Sequence, residues 1–319
     1  MQQIKILITF TCFFLVLIGG STALAGTNPT LKASEGYVEV NGGKMWYRIL
    51  GEGNEAPLLM MHGGPGGTSR SFYLFEKLTK DQPIILFDQF GSGRSDHHQD
   101  TNLLKVHEFV AQVKALTSHL NLNEFYLYGH SWGTALALEY YVAHPQGVKG
   151  IIFNSPYFST AIWEADADTL IMALPDTIQK AIAMGEKTGD FSSPAYQNAN
   201  RIYLANYGLR KKGLSSDLDT VVARGNYFIY NYMWGPTEFT ANGTLKTYDN
   251  IAALKKISVP TLFITGEYDE ARPETLLYFQ QLVPNSQVAV IKGAGHATMH
   301  DNLPSNTKVM RKFLKKANK

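Results

Sequence analysis

The sequence predicts an α/β fold: a mostly parallel central sheet with helices on both faces and an inserted all-helical cap. Three observations lead there. Short apolar runs alternate with helix-like stretches from residue 57 to 156 and again after residue 258. Most of the runs end in Gly-rich or polar loops, and sheets of this kind hold ligands beyond the carboxyl ends of their strands. Between the two blocks, residues 157–247 carry helical spacing, many Tyr, Asn and Ala, and no buried strand run. The expected organisation is therefore a core over 26–156, a cap over 157–247, and the rest of the core over 248–319.

In order, Val38–Val40 and Met45–Leu50 alternate about the Asn41-Gly42-Gly43 turn, a hairpin signal, with Thr27–Gly36 read as a connector. Pro57–Met61 and Pro83–Phe87 are continuous apolar runs, as strands buried on both faces require. Ser69–Lys80 between them has helical spacing, and Leu103–Leu120 reads as an amphipathic helix. Phe125–Tyr128 and Val148–Phe153 are two further strands around the helix-like Thr134–Tyr141. The cap holds helical stretches at Ile162–Met184, Pro194–Tyr207 and Thr220–Met233. It enters directly after a strand end, where a lid would cover a site; a decorative insertion is the alternative. Strands return at Val259–Thr265 and Gln287–Ile291, with helices at Pro273–Leu282 and Ser305–Lys316.

Composition bounds the function. With 319 residues, 45% hydrophobic and 18% charged, the chain can bury a large core. A net charge of +2 without an interleaved basic stretch argues against a nucleic-acid groove. Lys308–Lys319 reads as the solvated face of a terminal helix. The start differs: Lys5, the apolar run Ile6–Ile18, then Ala23-Leu24-Ala25 before Gly26. That is the pattern of a cleavable signal peptide over 1–25, and it places the protein outside the cytoplasm, periplasmic or secreted. The apolar run is short for a bilayer span, so an uncleaved anchor is the weaker alternative, and no membrane role is expected after cleavage. The only cysteine, Cys12, lies in this segment and follows no lipobox, so the mature chain would hold no disulfide and no thiolate site.

The chemistry centres on Gly129-His130-Ser131-Trp132-Gly133. A Gly-x-Ser-x-Gly run between a strand and a helix is the nucleophile elbow of the α/β-hydrolase fold. It presents a serine hydroxyl at the carboxyl end of a strand. Such a serine needs a base and an acid, which in this fold follow in the order acid, then His. Asp269 and His296 occupy the two strand ends after the cap, giving Ser131, Asp269 and His296 as the catalytic set. Glu267 and Glu270 are rivals for the acid and His300 for the base. His62, His130 and the His97-His98 pair read as structural or solvated, and the histidines lack a metal spacing with carboxylates. No metal or organic cofactor is expected. Two N–H donors should stabilise the oxyanion: Trp132, which follows the nucleophile, and Gly64 in the loop after the earlier strand, since Pro65 has no N–H.

Three motifs then stand together: His62-Gly63-Gly64-Pro65-Gly66-Gly67, Asp88-Gln89-Phe90-Gly91-Ser92-Gly93-Arg94-Ser95 and the elbow. They resemble those of the proline iminopeptidase family over nearly all of the chain after the signal segment. Gly235-Pro236-Thr237-Glu238-Phe239 and Gly266-Glu267-Tyr268-Asp269-Glu270 are most similar to its tricorn-interacting aminopeptidase and amino-acid amidase branch. The resemblance implies release of an N-terminal residue, often proline, from short peptides or amides. It implies that Glu238 and Glu270, with Tyr230 nearby, hold the substrate's free amine. Read from the residues alone, Glu238 is a solvated cap residue and Glu270 a helix-start acid. An esterase or lactonase on the same scaffold and a catalytically silent binding protein are the rival functions. An export signal departs from the many cytoplasmic members. Oligomeric state is not legible.

Overall fold

The computed structural model describes residues 27–211 and 225–318. The expected signal segment 1–25 with Cys12, and residues 220–224 of the third cap stretch, lie outside the described residues. An eight-stranded sheet runs in the order β1-β2-β4-β3-β5-β6-β7-β8. Its strands are β1 Ser34–Val40, β2 Gly43–Leu50, β3 Leu58–Met61, β4 Ile84–Phe87, β5 Phe125–His130, β6 Val148–Asn154, β7 Thr261–Gly266 and β8 Ser286–Ile291. The β1–β2 hairpin joins β4 antiparallel, and every pairing from β4 to β8 is parallel. β1 starts at Ser34, inside the stretch read as a connector. Its first residues are exposed or half-buried, so they carry no apolar alternation to read, and main-chain pairing from Ser34↔Ile49 defines them instead.

The central strands are buried on both faces, which is why their sequences are continuous apolar runs. Alternation still sorts them. Leu59, Met61, Ile85, Phe87, Leu127, Ile151, Phe153 and Phe263 enter one core, and Leu58, Met60, Ile84, Leu86, Tyr126, Tyr128, Ile152 and Leu262 the other. The first core is closed by α1 Val106–His119, α2 Trp132–Ala143 and a helix at Pro273–Leu282; the second by the 3-10 segment Ser69–Lys80 and the terminal helix Leu303–Ala317.

Between β6 and β7 the described chain is mainly helical, with α3 Thr160–Met172, α4 Asp176–Thr188, α5 Pro194–Tyr203 and α6 Tyr227–Met233. Residues 234–250, expected to be part of an all-helical cap up to 247, are instead turns and isolated bridges. The stretch read as one helix over Ile162–Met184 is two. Pro175 supplies no N–H and disfavours helical backbone at Leu174, so the chain breaks there and restarts at Asp176. α5 runs on into a π-turn, Leu204–Gly208, whose carbonyls bond into the core. α3, α4 and α5 share a small core of their own, with Leu174, Ile178, Ile182, Tyr196, Tyr203 and Phe239, whereas Ile229 and Met233 of α6 pack into the first sheet core.

Candidate active site

β5 turns into α2 within one residue. Ser131 takes that turn at φ +53° and ψ −126°, a conformation that costs a non-glycine residue about 1–3 kcal/mol. The glycines of the elbow are there for space. A Cβ on Gly133 would lie 2.1 Å from the Met61 carbonyl oxygen, and one on Gly129 would lie 2.3 Å from that of Gly133. The turn is tied down on each side. The Ser131 N–H donates to the Asn154 carbonyl (3.1 Å), and Thr134 Oγ1 donates to the Ser131 carbonyl (2.7 Å).

Asp269 follows β7 and His296 follows β8, so both lie at the same sheet edge as Ser131. His296 Nδ1 and Asp269 Oδ1 are 2.9 Å apart. Asp269 also accepts from the N–H of Ala271 (2.9 Å) and Gly266 (3.0 Å) and from Ser155 Oγ (2.6 Å). Burial alone would raise its pKa. The His296 charge and these hydrogen bonds outweigh that and hold it below the ordinary carboxylate range. For His296, burial works to lower the pKa, but Asp269 first, then Glu270 and Glu238, push it up to about 9.

The histidine loop is gripped from the cap and from the elbow. Its own N–H donates to the Tyr207 carbonyl (2.7 Å) and the Ala297 N–H to that of Gly208 (2.9 Å), so the cap's π-turn fixes the loop backbone. His130 Nε2 reaches the His296 carbonyl at 3.0 Å. Burial, then the neighbouring His296 charge, lowers His130 to about 3, so it stays neutral there. His62 is neutral too: burial lowers its pKa, and Nε2 accepts the Gln89 N–H (2.9 Å). His97 is exposed, whereas His98 is half-buried and stacks on Phe90 at 4.6 Å. Of the rivals, Glu267 turns away to accept the Gly293 N–H (2.8 Å), and His300 sits on the short helix Thr298–Asp301.

Gly64 has φ +118°, which a side chain rarely adopts, and a Cβ there would lie 2.6 Å from the Gly67 nitrogen. With Pro65, Ser131, Trp132, Tyr157, Trp163, Trp234 and Glu238 it lines a tight cavity of about 10 Å³. Trp132 is the first residue of α2, so its N–H has no acceptor within the helix. Gln89 braces both sides of this arrangement: its amide nitrogen donates to the His62 carbonyl (2.9 Å), and its oxygen accepts from Trp132 Nε1 (3.0 Å). Asp88 organises the loop beneath. It accepts the Ser69 N–H and hydroxyl and the Arg94 N–H at 2.7–3.0 Å.

The amine-binding candidates meet the same site. Glu238 lines the Ser131 cavity and shares a hydrogen bond with the Tyr230 hydroxyl. Two indoles hold its segment: Trp163 Nε1 donates to the Glu238 carbonyl and Trp234 Nε1 to that of Thr237, both at 2.8 Å. Glu270 is 1% exposed, with Oε2 4.0 Å from His296 Nδ1. Neither of its oxygens has a hydrogen-bond partner among the described residues, nor does the buried Tyr203 hydroxyl. Burial first, relieved in part by His296 and reinforced by Glu238 and Asp269, pushes Glu270 well above the ordinary carboxylate range. Beyond Gly64–Gly67 a wider cavity of about 390 Å³ opens, lined by Asn226, Tyr227, Tyr230 and Glu238 among others.

Ser155, Gln89, Tyr203 and Trp163 were not legible as site residues. Ser155 has one signal: it ends a strand beside the elbow strand, within Asn154-Ser155-Pro156. The others act through contacts distant in sequence.

A strained serine between strand and helix, with an Asp–His pair at neighbouring strand ends, defines the α/β-hydrolase class. A family profile described as the alpha/beta hydrolase fold matches residues 56–303. The chain belongs to the proline iminopeptidase family within that class. It is 37% identical over 265 residues to the proline iminopeptidase of Heyndrickxia coagulans, covering 82% of this chain and 92% of that protein. The crystal structure of the Mycobacterium smegmatis proline iminopeptidase superposes with a TM-score of 0.83 at 26% identity, over 89% of this chain and 98% of that one. VinJ superposes at 0.85 and 26% identity, over 89% and 99%.

Proposed function

We infer that the protein is a serine exopeptidase, a prolyl aminopeptidase that releases an N-terminal residue, proline favoured, from short peptides or amides through an acyl-enzyme. The observation that carries this reading is the pair of acids beside the nucleophile: Glu238 in the cavity of Ser131, and Glu270 at 4.0 Å from the His296 ring. An exopeptidase must hold a charged terminal amine one residue from the bond it cuts. A prolyl ammonium offers two N–H donors, and two carboxylates supply matching acceptors. The tight aromatic cavity favours a compact first residue, and the wider one gives the leaving chain a place. The relatives' name supports the same activity.

In this mechanism His296 takes the proton of Ser131 as its oxygen attacks the first carbonyl carbon. Asp269 keeps the imidazole oriented and balances its charge. The N–H groups of Gly64 and Trp132 receive the oxyanion. His296 then protonates the departing amine, and water, activated by the same residue, releases the acyl group.

The test is a panel of free-amine arylamides of proline, alanine, leucine and phenylalanine, assayed with wild type and Ser131→Ala. The expected order puts proline first and phenylalanine last, with turnover lost in the variant by about 10⁴- to 10⁶-fold. Wild-type-like hydrolysis by Ser131→Ala would sink the mechanism. The first 25 residues support export with cleavage after Ala25. N-terminal sequencing of protein recovered outside the cytoplasm should start at Gly26, and a start at Met1 would contradict this.

A further inference from the structure

We propose that the substrate's own ammonium switches on the catalytic base: His296 keeps a proton while it alone faces the buried acids, and gives it up when a free amino terminus joins them. The inference rests on the reading of Glu238 and Glu270 as the amine site.

The argument starts from charge. Three acids converge on one imidazole, with Asp269 Oδ1 at 2.9 Å from Nδ1, Glu270 Oε2 at 4.0 Å from the same atom, and Glu238 in the adjoining cavity. Asp269 and Glu270 are each 1% exposed. Among the described residues, no Lys or Arg forms an ion pair with any of the three. Among the described residues, His130, Tyr203 and Tyr230 also face the cluster, and none of these three supplies a cation. His130, at 4.9 Å from the His296 ring and itself next to His300, is held neutral by burial. Tyr203 and Tyr230 are buried phenols whose ionisation the same acids oppose. Buried carboxylates draw on whatever cation is available, and here that is the imidazolium. The direction of the His296 shift, up to about 9, agrees.

A protonated histidine cannot take the serine proton, so the empty site is idle at neutral pH. A bound ammonium reverses this. It satisfies the two glutamates and places a second positive charge beside the imidazolium, so His296 loses its proton to the buffer. The balance is simple: imidazolium enzyme plus ammonium substrate gives neutral imidazole, bound ammonium and one free proton. Recognition of the amine would then act on the chemical step as well as on binding, and an N-acylated peptide would leave the base switched off.

The experiment uses the Ser131→Ala protein with prolinamide, and N-acetylprolinamide as the uncharged control. The His296 pKa is read from its ring resonances by NMR. The free protein should titrate near 9, and saturating prolinamide should lower that by about 1–3 units, while the acetylated control leaves it in place. Calorimetry in two buffers of different ionisation enthalpy should show proton release on prolinamide binding at pH 7.5, about 0.2 proton per site for a one-unit shift and about 0.9 for three. In wild type, the acid limb of kcat/KM should fall near 9 and that of kcat at lower pH, because the first reports free enzyme and the second the complex. Prolinamide that binds without moving His296 overturns this inference and leaves the amine site standing. A proton released while His296 is unmoved also overturns it, since the proton then comes from Glu270. Failure of prolinamide to bind where the acetylated control does bind overturns the amine site itself.

Discussion

The two halves of the site are built on opposite terms. In the acyl-transfer half, Asp269 accepts four hydrogen bonds and the Ser131 backbone is bonded on both sides. In the amine half, Glu270 and Tyr203 are as deeply buried, yet their polar oxygens have no hydrogen-bond partner among the described residues. A satisfied network holds geometry for a reaction. An unsatisfied buried acid costs stability, and such groups collect where a ligand is bound. The first half is therefore built for acyl transfer, and the second is where we propose that a free amino terminus is read.

Substitutions on the two sides should behave in opposite ways. Asp269→Asn breaks the satisfied half. It leaves a side chain of similar shape but favours the wrong tautomer of His296, so kcat should fall by about 10⁴-fold. A loss under tenfold would show that another acid, Glu267 or Glu270, holds the histidine. Ser155→Ala removes one hydrogen bond to a buried charged acid, worth about 1.5–3 kcal/mol, and should lower kcat by roughly tenfold with KM little changed. An unaltered kcat would reduce Ser155 to packing.

The smallest expected effect has the opposite sign. Glu270 sits well above the ordinary carboxylate range, so at neutral pH its charge opposes folding. Glu270→Gln should therefore raise Tm by about 2 °C at pH 7, equivalent to about 1 kcal/mol in a chain of this size. The gain is present above the unfolded value of 4.5 and vanishes as pH falls below it, where the acid is neutral in both states. Asp269→Asn should lower Tm under the same conditions. Calorimetric scans of both variants check the pair, and a Tm drop for Glu270→Gln would show that its contact with His296 outweighs its burial.

The same division explains what could be read from the sequence. The elbow, the glycine loop and the acid and base are each local: a strand end followed by the residue that does the work. Their convergence follows from a parallel sheet, so Ser131, Asp269 and His296 could be placed together without coordinates. The amine half is assembled across the cap and the core, and no periodicity encodes it. Glu238 and Glu270 came from resemblance, and Tyr203 was invisible because an apolar-looking helix position gives no sign that its hydroxyl points at acids. The helix break at Pro175 could have been read from the proline itself. The start of β1 could not, since exposed edge residues lack a pattern.

The most direct test measures one ratio: kcat/KM for a prolyl arylamide over that for its N-acetyl form, in wild type and in Glu238→Gln/Glu270→Gln. Each charge-assisted contact to the amine is worth about 1.5–3 kcal/mol, so wild type should favour the free amine by at least roughly 100-fold. The double variant should bring the ratio close to unity, with the acetylated substrate cut at least as fast as by wild type, because His296 loses two of the acids that hold its proton. A wild-type ratio near unity would contradict the account, leaving a serine hydrolase that does not read the amino terminus.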